Sequence, residues 1–201
     1  MKAVILPNDE KTPEQALKSS MTEIGGAPML FHTLMLLKKY DFEEAIILNN
    51  TESPLIRECV SAYIDRLDGM KIRILRVPSH YKSAKMIRVC KKYLLENAFF
   101  VAPNDVITDL NIKKMIDFHR KNANVATMLV AKEKRYFSAL GQNEDNDNES
   151  KLVNSGFYAF ESEGIDYMEK NLALDSEILV RIAQDAELGI YSDNSFIQRC
   201  I

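Results

Sequence analysis

The chain has 201 residues, 46% of them hydrophobic, with 26 basic against 29 acidic side chains and a net charge of −3. That is enough apolar material for one substantial core, and no Pro-, Gly- or Ser-rich linker divides it, so a single domain over residues 1–201 is expected. The basic residues are dispersed and not clustered with aromatics, which argues against nucleic-acid binding, and no membrane-length apolar run or signal-peptide pattern occurs, so a cytoplasmic protein is expected.

Ala3 to Leu6 reads as a buried strand, followed by a polar segment from Pro7 to Thr22. "EIGGAPMLFHTLMLLKKY" then predicts a helix to about Lys39, with Pro28 in its first turn and Leu30, Leu34 and Leu37 at helical spacing. "EAIILNN" is a short buried strand. "PLIRECVSAYIDRL" places Ile56, Val60, Tyr63, Ile64 and Leu67 on one helical face, and "KIRILRV" alternates as a strand does. "SAKMIRVCKKYLL" is helical, "AFFVA" is a continuous apolar strand, "NIKKMIDFHRKN" a helix and "VATMLVA" a strand. "QNEDNDNES" cannot bury anything and reads as a loop; its carboxylates could hold a cation, but their register is not that of an EF-hand. "LVNSGFYAF" resumes as a strand, "DSEILVRIAQDA" is a helix with Asp175 or Ser176 as N-cap, and "LGIYSD" reads as a last strand. This alternation predicts an α/β protein, a three-layer sandwich with a mostly parallel central sheet.

Cys59, Cys90 and Cys200 are widely spaced and form no C-x-x-C pair, which points to buried reduced thiols rather than a disulfide frame or a zinc site. Gly25 and Gly26 allow a backbone to approach a ligand, or simply make a tight turn, and Glu23 beside them could hydrogen-bond a base or ribose. Asp105 and Asp109 follow an apolar strand, where ligands bind in open parallel sheets. Asp105 could hold a divalent cation or close an Asx-turn, whereas Asp109 is better placed to cap the next helix. His32 and His119 lack a nucleophile or second base at suggestive spacing and read as packing or surface histidines.

Taken in order, "MKAVIL", "EIGGAPMLFH", "FFVAPNDVITDLNIKKMIDFHRKNANVATMLVA", "RYFSAL" and "VNSGFYAF" resemble the sugar-1-phosphate nucleotidyltransferases, most closely the glucose-1-phosphate cytidylyltransferases. The resemblance implies a Rossmann-like fold that joins an NTP to a sugar 1-phosphate with release of pyrophosphate, using Mg²⁺ on the phosphates. It also implies catalysis by positioning and charge neutralisation. Asp105 falls in register with the family's metal-binding aspartate. Asn154 and Gly156 match the strand that contacts the sugar, and Glu23, Gly25 and Gly26 match the segment near the substrate.

The same comparison shows departures. The family's first loop is rich in glycine and carries an Arg, and a Lys between prolines precedes the "EIGG" segment. Here "PNDEKTPEQALKSSMT" has no glycine, no Arg occurs before Arg57, and Asp9 and Glu10 stand where triphosphate would lie. Ser19 takes the family lysine's place, with Lys18 one residue away and Lys11 a substitute only if the loop folds differently. Ile201 falls at the second metal acid. Glu144 lies near the family's acidic position, but Asp145 replaces the neighbouring lysine, and Ser83-Ala84 replaces a glycine pair.

These departures imply weakened catalysis and weak Mg²⁺ binding. The protein would then act as a ligand-binding or partner subunit in nucleotide-sugar or surface-polysaccharide metabolism, accepting a nucleotide or sugar phosphate. Association with itself or a paralogue would use the segment from about Val153 onward, with Ile197 and Ile201 as apolar contacts. An active transferase with a rebuilt phosphate loop is the alternative.

Overall fold

The computed structural model describes residues 1–94, 97–132 and 152–199. The acidic run at 142–150, "RYFSAL", Glu144, Asp145, Cys200 and Ile201 lie outside the described residues. Strand β1 (Lys2–Leu6) is followed by α1 (Pro13–Ser20), a hairpin of β2 (Glu23–Ile24) and β3 (Ala27–Pro28), and helix α2 (Met29–Lys39). Next come β4 (Glu44–Asn49), α3 (Leu55–Ala62), β5 (Lys71–Arg76), α4 (Ser83–Val89) and α5 (Lys91–Leu94). The chain continues through β6 (Phe99–Pro103), β7 (Val106–Thr108), α6 (Ile112–Asn122), β8 (Ala126–Lys132) and β9 (Leu152–Phe160). It closes with α7 (Leu179–Gln184), β10 (Leu188–Asp193) and β11 (Ile197–Arg199).

Seven strands form one sheet in the order β10-β8-β9-β6-β1-β4-β5. All neighbours are parallel except β9, which runs antiparallel to both β6 and β8. The expected three-layer α/β sandwich is therefore what the chain forms. Period-2 alternation explains the layers: on β1, Ala3 and Ile5 face a core shared with Leu30, Leu34 and Leu37 of α2 and Met115 of α6. Val4 and Leu6 face the opposite core, with Ile87 of α4 and Ile182 of α7. Both sides of β1, β4 and β6 are thus buried, which requires their continuous apolar runs. Cys59 and Cys90 are buried free thiols, and burial pushes Cys90 up to about 12. Among the described residues, no helix is long and apolar enough to cross a membrane.

Several local expectations are corrected. The polar stretch after β1 contains α1, started by a capping box: Thr12 Oγ1 accepts from Gln15 N at 3.3 Å, and Gln15 Oε1 accepts from Thr12 N at 3.0 Å. Helix α3 ends at Ala62, so Ile64 is 51% exposed and leaves the apolar face, while Ile56, Val60 and Leu67 pack in one core and the half-buried Tyr63 packs against it. Asn111, not Asp109, caps α6, through its side chain and Lys114 N at 3.2 Å. Asp109 instead accepts from Phe196 N at 2.6 Å.

Neither Asp175 nor Ser176 caps the last helix, because a wide π-type turn, Leu174–Ile178, precedes α7 and Ala173 holds the flanking position. There Glu177 Oε2 takes the Ala173 amide at 2.8 Å. Strand β10 is not the last, since β11 pairs antiparallel with β7. Finally, the Val153–Phe160 part of the expected association segment lies inside the sheet between β6 and β8, whereas Val180 of α7, 47% exposed, and Ile190 of the edge strand β10, 57% exposed, face outward.

Candidate functional site

Chain order in the sheet runs from β1 outward to β4 and β5, then crosses back to β6 on the other side of β1. That reversal opens a crevice beyond the carboxyl ends of β1 and β6, the place where α/β sheets bind ligands. A cavity of ≈ 440 Å³ lies there, lined by Leu6 and Pro7, the loop residues Asn8 to Glu10, Ser83, Pro103, Asn154, Gly156, Tyr158, Asp175 and Arg199.

The loop after β1 closes without glycine. Asn8 Oδ1 accepts from Glu10 N at 3.0 Å, an Asx-turn that replaces a left-handed backbone, and no residue of this loop has a positive φ. The turn carries Asp9 to α4, where Asp9 Oδ2 accepts from Ser83 N at 3.0 Å and from Ser83 Oγ at 2.5 Å. Ser83 Oγ in turn accepts from Leu174 N at 2.7 Å. One carboxylate thus joins the loop, the start of α4 and the π-type turn.

The opposite wall is an irregular stretch of β9. Pairing with β8 slips between Met128 and Val130, which spans Ser155 to Phe157 on β9. Ser155 Oγ donates to Leu129 O at 2.8 Å, Gly156 N donates to Asn154 Oδ1 at 3.0 Å, and Gly156 adopts φ +83°. Asn154 Nδ2 donates to the Tyr158 hydroxyl at 2.8 Å, and that hydroxyl donates to Asp175. Burial first, and then the Asp175 charge, hold the Tyr158 phenol well above its ordinary range. Asp175 meets water in the cavity but is enclosed on the Tyr158 side. This partial desolvation raises its pKa, the Tyr158 hydrogen bond acts against it, and the Asp9 charge adds to the rise.

Asp105 lies just beneath, fully buried. Its Oδ2 is 3.5 Å from Lys11 Nζ, and its Oδ1 is 4.0 Å from Arg199 Nη1. Lys11 Nζ also donates to Ser19 Oγ at 2.8 Å, so the shortened loop does fold to bring Lys11 beside the serine that stands in the lysine position. Arg199 arrives on β11, whose register sets it opposite Val106, and its Nη2 donates to Ser155 O at 3.0 Å.

The structure therefore brings Asn154, Gly156 and Asp105 into or against one cavity. It leaves Glu23, Gly25 and Gly26 exposed on the β2–β3 hairpin, outside the cavity's lining. There φ of +61° at Gly25 and +80° at Gly26 is what a two-residue hairpin turn demands. His32 Nε2 is 2.8 Å from Ile24 O and ties that hairpin to α2. His119 is buried against Thr127 Oγ1 at 2.8 Å, away from the cavity. Sequence reasoning marked Asp175 only as a helix cap and had no signal for Tyr158 or Arg199, since the π-type turn brings Asp175 to the cavity and the register of β9 and β11 brings the other two.

The donor set around Asp105 does not suit Mg²⁺. That ion asks for about six oxygens in near-ideal octahedral geometry. Asp105 Oδ1 has no hydrogen bond among the described residues, yet its surroundings are an ammonium and a guanidinium. No group of three His, Cys, Asp or Glu able to hold a metal occurs among the described residues.

A mostly parallel sheet with a crevice at the β1/β6 reversal, walled by an antiparallel β9, defines a Rossmann-like α/β protein. Comparison with known proteins narrows it. Residues 15–183 match the family model described as nucleotidyl transferase, and the chain belongs to that family, in its sugar-1-phosphate nucleotidyltransferase branch. It is 26% identical to the glucose-1-phosphate cytidylyltransferase of Salmonella typhimurium, over 98% of this chain and 90% of the relative. It is 23% identical to mannose-1-phosphate guanylyltransferase 1 of Arabidopsis thaliana, over 96% of this chain and 58% of the relative. Among solved structures, HddC from Yersinia pseudotuberculosis complexed with GMP-PN aligns with TM-score 0.74 at 17% identity, over 99% of this chain and 93% of that one. A Bacillus anthracis protein in complex with a sucrose aligns with TM-score 0.77 at 15% identity, over 99% and 89%. These two likenesses speak for the fold.

Proposed function

We propose that this protein is a sugar-1-phosphate nucleotidyltransferase homologue that binds a sugar or nucleoside in the Asn154–Asp175 cavity and transfers nucleotidyl groups poorly or not at all. The observation that carries this reading is Asp9. A transferase loop offers amides to a triphosphate, but here the loop presents a carboxylate that already occupies the amide and hydroxyl of Ser83. Asp9, Glu10 and Asp175 on the cavity wall repel phosphate, with Arg199 the single cation among the described lining residues. Asp9, Asp175, Asn154 and Tyr158 instead offer polar atoms of the kind that ring hydroxyls pair with.

Asn154 and Gly156 are the substrate-contacting residues of this reading, and Asp105 is a structural anion rather than a Mg²⁺ ligand. The hairpin with Glu23, Gly25 and Gly26 has a structural part. Residues 1–201 act as one nucleotidyltransferase-like unit in the cytoplasm, in nucleotide-sugar metabolism, alone or as a subunit beside itself or a paralogue. Light scattering and co-purification address the assembly.

The active alternative draws on one observation, the Lys11 ammonium beside Ser19. A pyrophosphate-release assay with the four NTPs, several sugar 1-phosphates and Mg²⁺ separates the two. The expected result is no release above background. Robust turnover abolished by Asp105→Ala overturns the proposal and makes Lys11 the replacement cation.

A further inference from the structure

We propose that Lys11 and Arg199 are the resident cations of Asp105, a three-residue charge cluster that stands where a divalent ion would otherwise neutralise this buried carboxylate. Asp105 cannot leave its position. It lies within the buried stretch 99–106, and its neighbour Asn104 donates its amide to Leu6 O at 3.0 Å, which ties the turn after β6 to the end of β1. A fully buried carboxylate must find positive charge nearby or lose its own.

Two elements from distant parts of the chain supply that charge. The loop between β1 and α1 is glycine-free and short, and its Asx-turn sends Lys11 inward, 3.5 Å from Asp105 Oδ2, with Ser19 Oγ at 2.8 Å fixing the ammonium. From the other end, β11 lies along β7 with Arg199 opposite Val106, the residue next to Asp105. The guanidinium is anchored by Ser155 O at 3.0 Å and reaches 4.0 Å from Asp105 Oδ1. Gly156 leaves room for it, since a Cβ there would stand 2.5 Å from Arg199 Nη2.

Lys11 and Arg199 bring positive charge to the two oxygens of this carboxylate, the part a divalent ion would otherwise fill. A Mg²⁺ bound at Oδ1, roughly 2.1 Å from it, would meet the guanidinium at close range in a site of low dielectric. Cluster and metal therefore exclude one another. If the cavity is the ligand site proposed above, its ligand binds with equal affinity in EDTA and in Mg²⁺.

Two measurements on the full chain test the cluster, and neither reads turnover. In the first, Mn²⁺ is titrated in the presence of protein and its free-ion electron paramagnetic resonance signal is recorded. The expected signal is undiminished at millimolar Mn²⁺, whereas a loss of signal that Asp105→Asn abolishes overturns the proposal. In the second, Arg199→Met is expected to lower the thermal midpoint, and adding Asp105→Asn to it is expected to recover part of that drop. A double variant that melts no higher than Arg199→Met alone overturns the proposal as well. Failure here leaves the pyrophosphate result untouched, because a metal at Asp105 does not by itself restore the phosphate loop.

Discussion

Asp9 and Ser83, 74 residues apart, share two hydrogen bonds through one carboxylate oxygen, at 3.0 Å to the amide and 2.5 Å to the hydroxyl. Ser83 is the first residue of α4, so its amide has no partner within the helix, and an acid at a helix N-terminus is favoured by the local dipole. The loop that would otherwise cradle a ligand's phosphates is thereby fastened to the protein itself.

Removing that fastener has a defined effect. Asp9→Ala leaves the Ser83 amide without its side-chain acceptor and is expected to cost about 1–2 kcal/mol in urea unfolding. Asp9→Asn retains an acceptor oxygen and is expected to cost less than Asp9→Ala. Equal stability of wild type and Asp9→Ala would show that the contact contributes nothing.

Gly156 is constrained twice, by its backbone and by Arg199. Its φ of +83° disfavours any Cβ, and the added methyl would also displace the guanidinium. Gly156→Ala is expected to lose about 1–2 kcal/mol from the backbone alone, and more from the contact. In an Arg199→Ala background only the backbone part remains, so the measured cost of Gly156→Ala should be smaller there. A cost that does not change between backgrounds would remove Arg199 from the explanation.

Asp175 gives a pH signature. Partial desolvation raises its pKa, so the folded protein keeps this proton to a higher pH than the unfolded chain does. The associated stability is fully present below the ordinary carboxylate range and is lost as pH rises through the raised value. Asp175→Asn, which never ionises, is therefore expected to melt above wild type at neutral pH, with the gap closing towards acid. Parallel curves across that range would contradict the assignment.

His119 predicts the opposite trend. Burial, with Arg120 adding to it, lowers its pKa, so the imidazole is neutral in the fold and pairs with Thr127. A depressed value means that stability is present above the ordinary histidine range and is lost as pH falls through the folded pKa. Urea midpoints measured downward from neutral pH should fall in this window, and His119→Gln should flatten that part of the profile. Glu161 Oε1, 3.4 Å from Nε2, limits the effect without reversing it.

The strands and layers were legible because they depend on local periodicity. Ala3–Leu6, Glu44–Asn49 and Phe99–Pro103 are runs buried on both faces, and α2 and α6 carry apolar residues at helical spacing, so each segment announces its own environment. Helix α1 was hidden because it buries only Ala16, Ser19 and Ser20, and its capping box, Thr12 with Gln15, was the signal that could have found it. Asp105, Asn154 and Gly156 could be marked from the sequence as residues at strand ends and in a recognisable strand. The reach of Lys11 to Asp105, the arrival of Arg199 and the closing of Asp9 on Ser83 could not. Each joins residues 44 to 94 positions apart, and such pairs are set by strand register and loop path, which no local pattern encodes. Composition and periodicity thus determined the sheet and its flanking helices, while the charge arrangement of the cavity was decided only when tertiary packing brought distant side chains to the same few ångströms.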